Sequence, residues 1–111
     1  MKSCTHLVRS TLFIAAGVLI LSAALKAAPD GKAVFQQKCS MCHGMDGKGY
    51  PALKTPDFTD PKVQAAVTDA QMIDIIKNGK KGTAMPPWDG KLSDDEIKAV
   101  VAYIRTLAPK K

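Results

Sequence analysis

The chain reads as a small all-α domain, because three apolar stripes recur at helical spacing, each opens on a capping residue, and no segment sustains strand-like alternation. Its 111 residues suffice for one compact domain. Asp30 can cap a first helix beginning near Gly31, with Phe35, Cys39 and Cys42 at i, i+4 and i+7 on one face. A second helix starts at Thr68-Asp69-Ala70-Gln71, a capping-box pattern, carries Met72, Ile75 and Ile76 on one side, and stops at Asn78-Gly79. The third opens on Ser93-Asp94-Asp95-Glu96, another capping box, runs an apolar stripe through Ile97, Val100, Val101, Ile104 and Leu107, and ends at Pro109. Between the first two lies a Pro- and Gly-rich stretch from Gly44 to Pro61, predicted to wrap the domain with little regular structure. Loops of that length usually carry function. No internal repeat or low-complexity segment interrupts the pattern.

The N-terminal quarter has a different composition. Lys2 and Arg9 flank a polar start, an apolar run extends from Leu12 to Leu25, and the small residues Ala27 and Ala28 close it. This is the layout of a secretory signal peptide, so residues 1–27 are expected to be a leader and residues 28–111 the exported, periplasmic domain. The run is shorter than the roughly 20 apolar residues that span a bilayer, and Lys26 interrupts it. An uncleaved membrane anchor is the alternative. Cys4 precedes the apolar run, unlike a lipoprotein cysteine, and reads as an incidental leader residue.

Removing Lys2, Arg9 and Lys26 with the leader leaves thirteen Lys and Arg against ten Asp and Glu, a net charge of +3. The charges are interspersed, whereas a nucleic-acid binder concentrates basic residues in a patch. Lys48, Lys54, Lys80, Lys81 and Lys91 fall in loops and suit docking to a protein partner with an acidic face, or simple solvation of those loops.

Only Cys39 and Cys42 remain in the domain, and the residue after them changes their meaning. Cys39-Ser40-Met41-Cys42-His43 is the Cys-x-x-Cys-His sequence of c-type haem attachment. Two thiols three residues apart on one helical turn can each bond a haem vinyl group, and the following imidazole is placed to ligate the iron. The competing reading is a thiol redox or zinc pair beside a chance histidine. No second ligand pair and no βαβ pattern accompanies it.

His43 is the only histidine after the leader, so the domain cannot supply bis-histidine ligation. A thioether sulfur is the natural second ligand for a haem used in electron transfer. Met41 and Met45 lie too close to His43 in sequence to reach the opposite haem face, and Met72 belongs to an apolar stripe, where methionine usually fills core. Met85 stands in Gly82-Thr83-Ala84-Met85-Pro86-Pro87-Trp88, which cannot continue a helix. A rigid loop presenting a sulfur suits a ligand, so Met85 is the expected distal ligand; the plainer alternative is a loop methionine covering the haem edge. A domain of roughly 80 residues also needs a staple, and haem supplies one. The aromatics Phe35, Tyr50, Phe58, Trp88 and Tyr103 are accordingly expected in the haem pocket or core.

These motifs together resemble the class I c-type cytochromes, the bacterial single-haem group in particular, over about residues 30–107. The resemblance rests on Gly31-x-x-x-Phe35-x-x-x-Cys39-x-x-Cys42-His43, the Met85-Pro86 loop and the last helix with Tyr103. It implies the small cytochrome c fold of three main helices and wrapping loops around one covalently bound haem c. It also implies a close crossing of first and last helices where Gly31 and Tyr103 stand, a proline carbonyl on the axial histidine at Pro51, a propionate-side loop over Pro56-Asp57-Phe58-Thr59-Asp60 and a haem-edge aromatic at Trp88.

An iron held by both His43 and Met85 has no free position for oxygen, so the sequence favours an electron carrier over an enzyme. It would pass electrons between a redox donor and acceptor. A haem-bearing subunit of a dehydrogenase or oxidase complex would use the same site, and a haem enzyme or gas sensor would need a labile sixth ligand.

Overall fold

The computed structural model of the protein describes residues 27–110. The expected leader over residues 1–27 lies outside them apart from Ala27. Among the described residues no helix is long and apolar enough to cross a membrane.

The first helical run, α1, covers residues 31–43, and Asp30 caps it by accepting from the N–H groups of Lys32 and Ala33. It is not uniformly α-helical. α turns at Gly31–Val34 and Ser40–His43 enclose a π-helical segment, Phe35–Cys39. The Ser40 N–H reaches back to the Phe35 carbonyl, and the Ser40 hydroxyl donates to the Gln36 carbonyl that this wider turn leaves free, at 2.6 Å. The extra residue rotates the final turn of the helix. Phe35 is fully buried, Cys39 half-buried and Cys42 exposed.

A wrapping loop comes next, broken by one 3-10 turn at Pro51–Leu53. It ends in a short helix that the sequence pattern did not announce, α2 (Pro61–Ala65), capped by Asp60. Helix α3 (Asp69–Asn78) and helix α4 (Asp94–Thr106) both open on complete capping boxes, Thr68 with Gln71 and Ser93 with Glu96. Met72 and Ile76 of α3 are buried as expected. Ile75 is not in the core; it borders a shallow groove with Val67 and Ala70, while Ile73 packs inward beside Met72.

The core is the α4 stripe Ile97, Val100, Val101 and Ile104 against Phe35, Met72, Ile76 and Leu92. Where α1 meets α4 the backbones nearly touch: a Cβ on Gly31 would collide with the Ala99 carbonyl. The crossing point is therefore Ala99 and Val100 rather than Tyr103. Tyr103 packs one turn later against Phe35, with ring centroids 5.3 Å apart. Leu107, half-buried, closes the stripe just past the last turn.

Candidate functional site

Cys39 and Cys42 carry free thiols at the end of α1. Burial, reinforced by the neighbouring Cys42, pushes the Cys39 thiol up to about 11. Cys39 rests against the core and Cys42 is exposed. Among the described residues no group of three or more His, Cys, Asp or Glu gathers as a metal cluster.

His43 is the last residue of α1, and Gly44, at φ 78°, turns the chain away from the helix there. The loop immediately folds back: the Gly49 N–H donates to the His43 carbonyl at 2.8 Å, and the Phe58 N–H donates to the Gly47 carbonyl at 2.8 Å. This brings the Phe58 ring flat against the imidazole, centroids 4.9 Å apart and planes 20° from parallel. Burial lowers the pKa of His43, favouring the neutral imidazole that a metal needs. Its Nδ1 is buried without a hydrogen-bond partner.

The resemblance assigned that partner's role to Pro51. Pro51 is exposed, and its carbonyl accepts from the Lys54 N–H at 3.1 Å, closing the 3-10 turn. The Thr55–Pro56 backbone is what returns beside Gly49, the residue bonded to His43. A Cβ on Gly49 would come within 2.8 Å of the Pro56 oxygen, and Gly49 is itself bonded to His43. Asp57, next in the chain, accepts from the Thr59 hydroxyl and N–H at 2.6 and 2.8 Å, and these bonds hold its carboxyl below the usual range.

Met85 is half-buried and packs against the core. Its loop is anchored on α3, since the N–H groups of Trp88 and Asp89 donate to the Ile76 and Lys77 carbonyls that the helix end leaves open. Gly79, at φ 73°, permits this return; a Cβ there would stand 2.8 Å from the Met85 carbonyl oxygen. The sequence marked Gly79 only as a helix stop. Trp88 is half-buried under Lys91, whose ammonium lies 5.7 Å from the ring centroid. Tyr50, expected in the pocket or core, is instead 45% exposed, and Met41 and Met45 are exposed as well.

The chemistry of these groups fits haem c: two thiols able to bond vinyl groups, and an imidazole and a thioether of the kinds that ligate haem iron. An all-helical domain closed by a glycine crossing and built around such a segment defines the class: a class I c-type cytochrome. More particularly, the family described as "Cytochrome C oxidase, cbb3-type, subunit III" matches residues 26–104, and the chain belongs to it. The chain is 36% identical over 77 residues, 69% of its length, to the cbb3-type cytochrome c oxidase subunit FixP of Bradyrhizobium sp. (strain ORS 278). It spans only 26% of that relative. Similarity to cytochrome c6 of Chlorolobion braunii is 38% over 80 residues, covering 67% of this chain and 83% of that one. The solved KustC0563 c-type cytochrome superposes with a TM-score of 0.67 at 32% identity, over 73% of this chain and all of that one. The family is one of electron-transfer proteins bearing covalently bound haem.

Proposed function

We propose that the protein is an exported single-haem electron carrier, with haem c joined to Cys39 and Cys42 and its iron ligated by His43 and Met85. The observation that carries this reading is the free thiol pair at the end of α1 with a half-buried histidine directly after it, its Nδ1 buried without a partner. When bound, the haem supplies a one-electron couple. The chain's own residues do the rest. The thiols tether, His43 and Met85 hold the metal in both oxidation states, and Phe35, Phe58 and Tyr103 exclude water from the His43 side. Exposed Lys48, Lys54, Lys80, Lys81 and Lys91 suit an acidic docking face on a redox partner.

A second reading is favoured by the similarity to cbb3-type oxidase subunits: the same domain would serve as a fixed relay within an oxidase complex. Co-purification at stoichiometric yield with an oxidase distinguishes the relay from the carrier.

The deciding experiment is a visible spectrum of the purified protein with and without carbon monoxide, after acid-acetone extraction of a parallel sample. The haem is expected to stay with the polypeptide and the ferrous spectrum to be indifferent to carbon monoxide. Freely extracted haem overturns the attachment. Ready carbon monoxide binding at neutral pH overturns Met85 ligation and points to a sensor or enzyme.

A further inference from the structure

Behind the Phe58 ring lies a polar network that joins three helices, and none of its members is a candidate ligand. Gln64, half-buried in α2, donates from Nε2 to the Phe58 carbonyl at 2.8 Å and to the Ile104 carbonyl of α4 at 2.7 Å. Its Oε1 accepts from the Arg105 guanidinium at 2.9 Å. Arg105 also donates to the backbone carbonyls of Gln64 and Val67, and to the Asp69 carboxylate at 2.7 Å. A guanidinium can only donate, so it fixes which end of the Gln64 amide points where, and the NH2 group must face the two carbonyls. Both amide hydrogens and the amide oxygen are thereby engaged.

The consequence falls on Phe58. Its N–H is held by the Gly47 carbonyl and its own carbonyl by Gln64, so the backbone is pinned on both sides of the side chain. The ring has Phe35 at one edge, centroids 6.5 Å apart, and lies against the His43 imidazole. An imidazole stacked on a fixed ring cannot turn freely about its own bond to the chain, nor can water reach that face.

We propose that Gln64, oriented by Arg105, is a positioning residue for the axial histidine: it clamps Phe58, and Phe58 sets the plane and the dryness of the His43 ring. This rests on the reading of His43 as an iron ligand. Releasing the clamp admits water beside the ligand, and water favours the more highly charged oxidised form. The reduction potential should fall and the imidazole plane should become less defined.

The test uses holoprotein carrying Gln64→Glu, which keeps an acceptor for Arg105 and removes both donors to the carbonyls. Two quantities are read: the midpoint potential, and the hyperfine-shifted haem methyl resonances of the ferric protein, whose spread reports the axial ring plane. Gln64→Glu should lower the potential and redistribute the methyl resonances, with haem still attached. Ile97→Val, a core truncation two turns before Ile104 and Arg105 on α4, should move neither. In a Phe58→Leu background the effect of Gln64→Glu should largely disappear, because the clamp then holds no ring. Unchanged potential and resonances in Gln64→Glu overturn the proposal, as does an undiminished effect in the Phe58→Leu background. If Gln64→Glu does not fold, Arg105→Lys leaves the amide present but unoriented, and the same shifts, smaller, are expected; their absence is equally decisive. A His43→Ala protein with the spectrum of the unmodified one overturns the ligation reading, and this proposal with it. Normal His43 signals with an indifferent Gln64→Glu overturn the positioning role alone.

Discussion

Met85 and Met72 are the same side chain in two settings, and the setting decides what each does. Met72 is 8% exposed within the α3 and α4 packing and makes core, so Met72→Leu conserves volume and is expected to cost less than about 1.5 kcal/mol. Met85 sits in a loop held off the helix path by two prolines, and a thioether ligand favours ferrous iron. Met85→Ala should therefore lower the reduction potential and let the ferrous protein bind carbon monoxide, while Met72→Leu changes neither. Gly79 has no ligand chemistry of its own, yet it bears on the same loop. At φ 73° and ψ 179° it occupies a region open in practice only to glycine, and a Cβ would collide with the Met85 carbonyl. Gly79→Ala is expected to cost about 1–3 kcal/mol and, unlike a comparable core truncation, to open the iron to carbon monoxide. A Gly79→Ala protein with native potential and no carbon monoxide binding would show that the close approach does not set the Met85 position.

At the scale of elements, the helix starts were legible because their signals are local. Asp30, Thr68 and Ser93 cap as their sequences announce, and the capping boxes close through Gln71 and Glu96 only three residues away. What was not legible depends on partners distant in the chain or on small departures from ideal geometry. The π segment over Phe35–Cys39 has no sequence signal. Gln64 and Arg105 are polar residues 41 apart, and periodicity says nothing about such a pair. The return of the wrapping loop is set by bonds across it, from Gly49 to His43 and from Phe58 to Gly47, which local pattern does not announce. The junction of α3 with α4 is tied by Lys77 and Asp94, 2.9 Å apart. The Lys77 hydrogen bond lowers the Asp94 carboxyl below its ordinary 3.8, so this group's contribution is complete above that value and is lost as pH falls through the folded one. The same bond raises Lys77 above 10.5, so its contribution is complete below that value and is lost as pH rises through the folded one. Stability lost in Lys77→Ala, measured by urea unfolding, should thus be constant from about pH 5 to 9 and shrink in acid. Both groups are substantially exposed, and added salt should diminish the difference.

For the whole molecule, the balance between core and ligand decides whether the chain can fold alone. Eight apolar residues are buried among those described, and only Phe35, Ile97 and Val100 are sealed almost completely. A domain of this size buries little more than about 60% of the surface its unfolded chain exposes, which leaves a marginal net stability without a staple. Cys39, Phe58, Met85, Trp88 and Tyr103 border the core, each of them half-buried. A covalently joined haem would cover that border and shorten the free chain between its attachment points and its distal ligand. Cys39→Ala with Cys42→Ala should therefore do more than release the cofactor. The expected product keeps helical far-ultraviolet dichroism, since the capping boxes are local to the chain, but loses its cooperative thermal transition and fixed near-ultraviolet signal. Scanning calorimetry of the double variant against the native protein provides the measurement. A sharp transition at the native temperature in the haem-free protein would mean that the core stands on its own and that the haem contributes electron transfer without contributing to the fold.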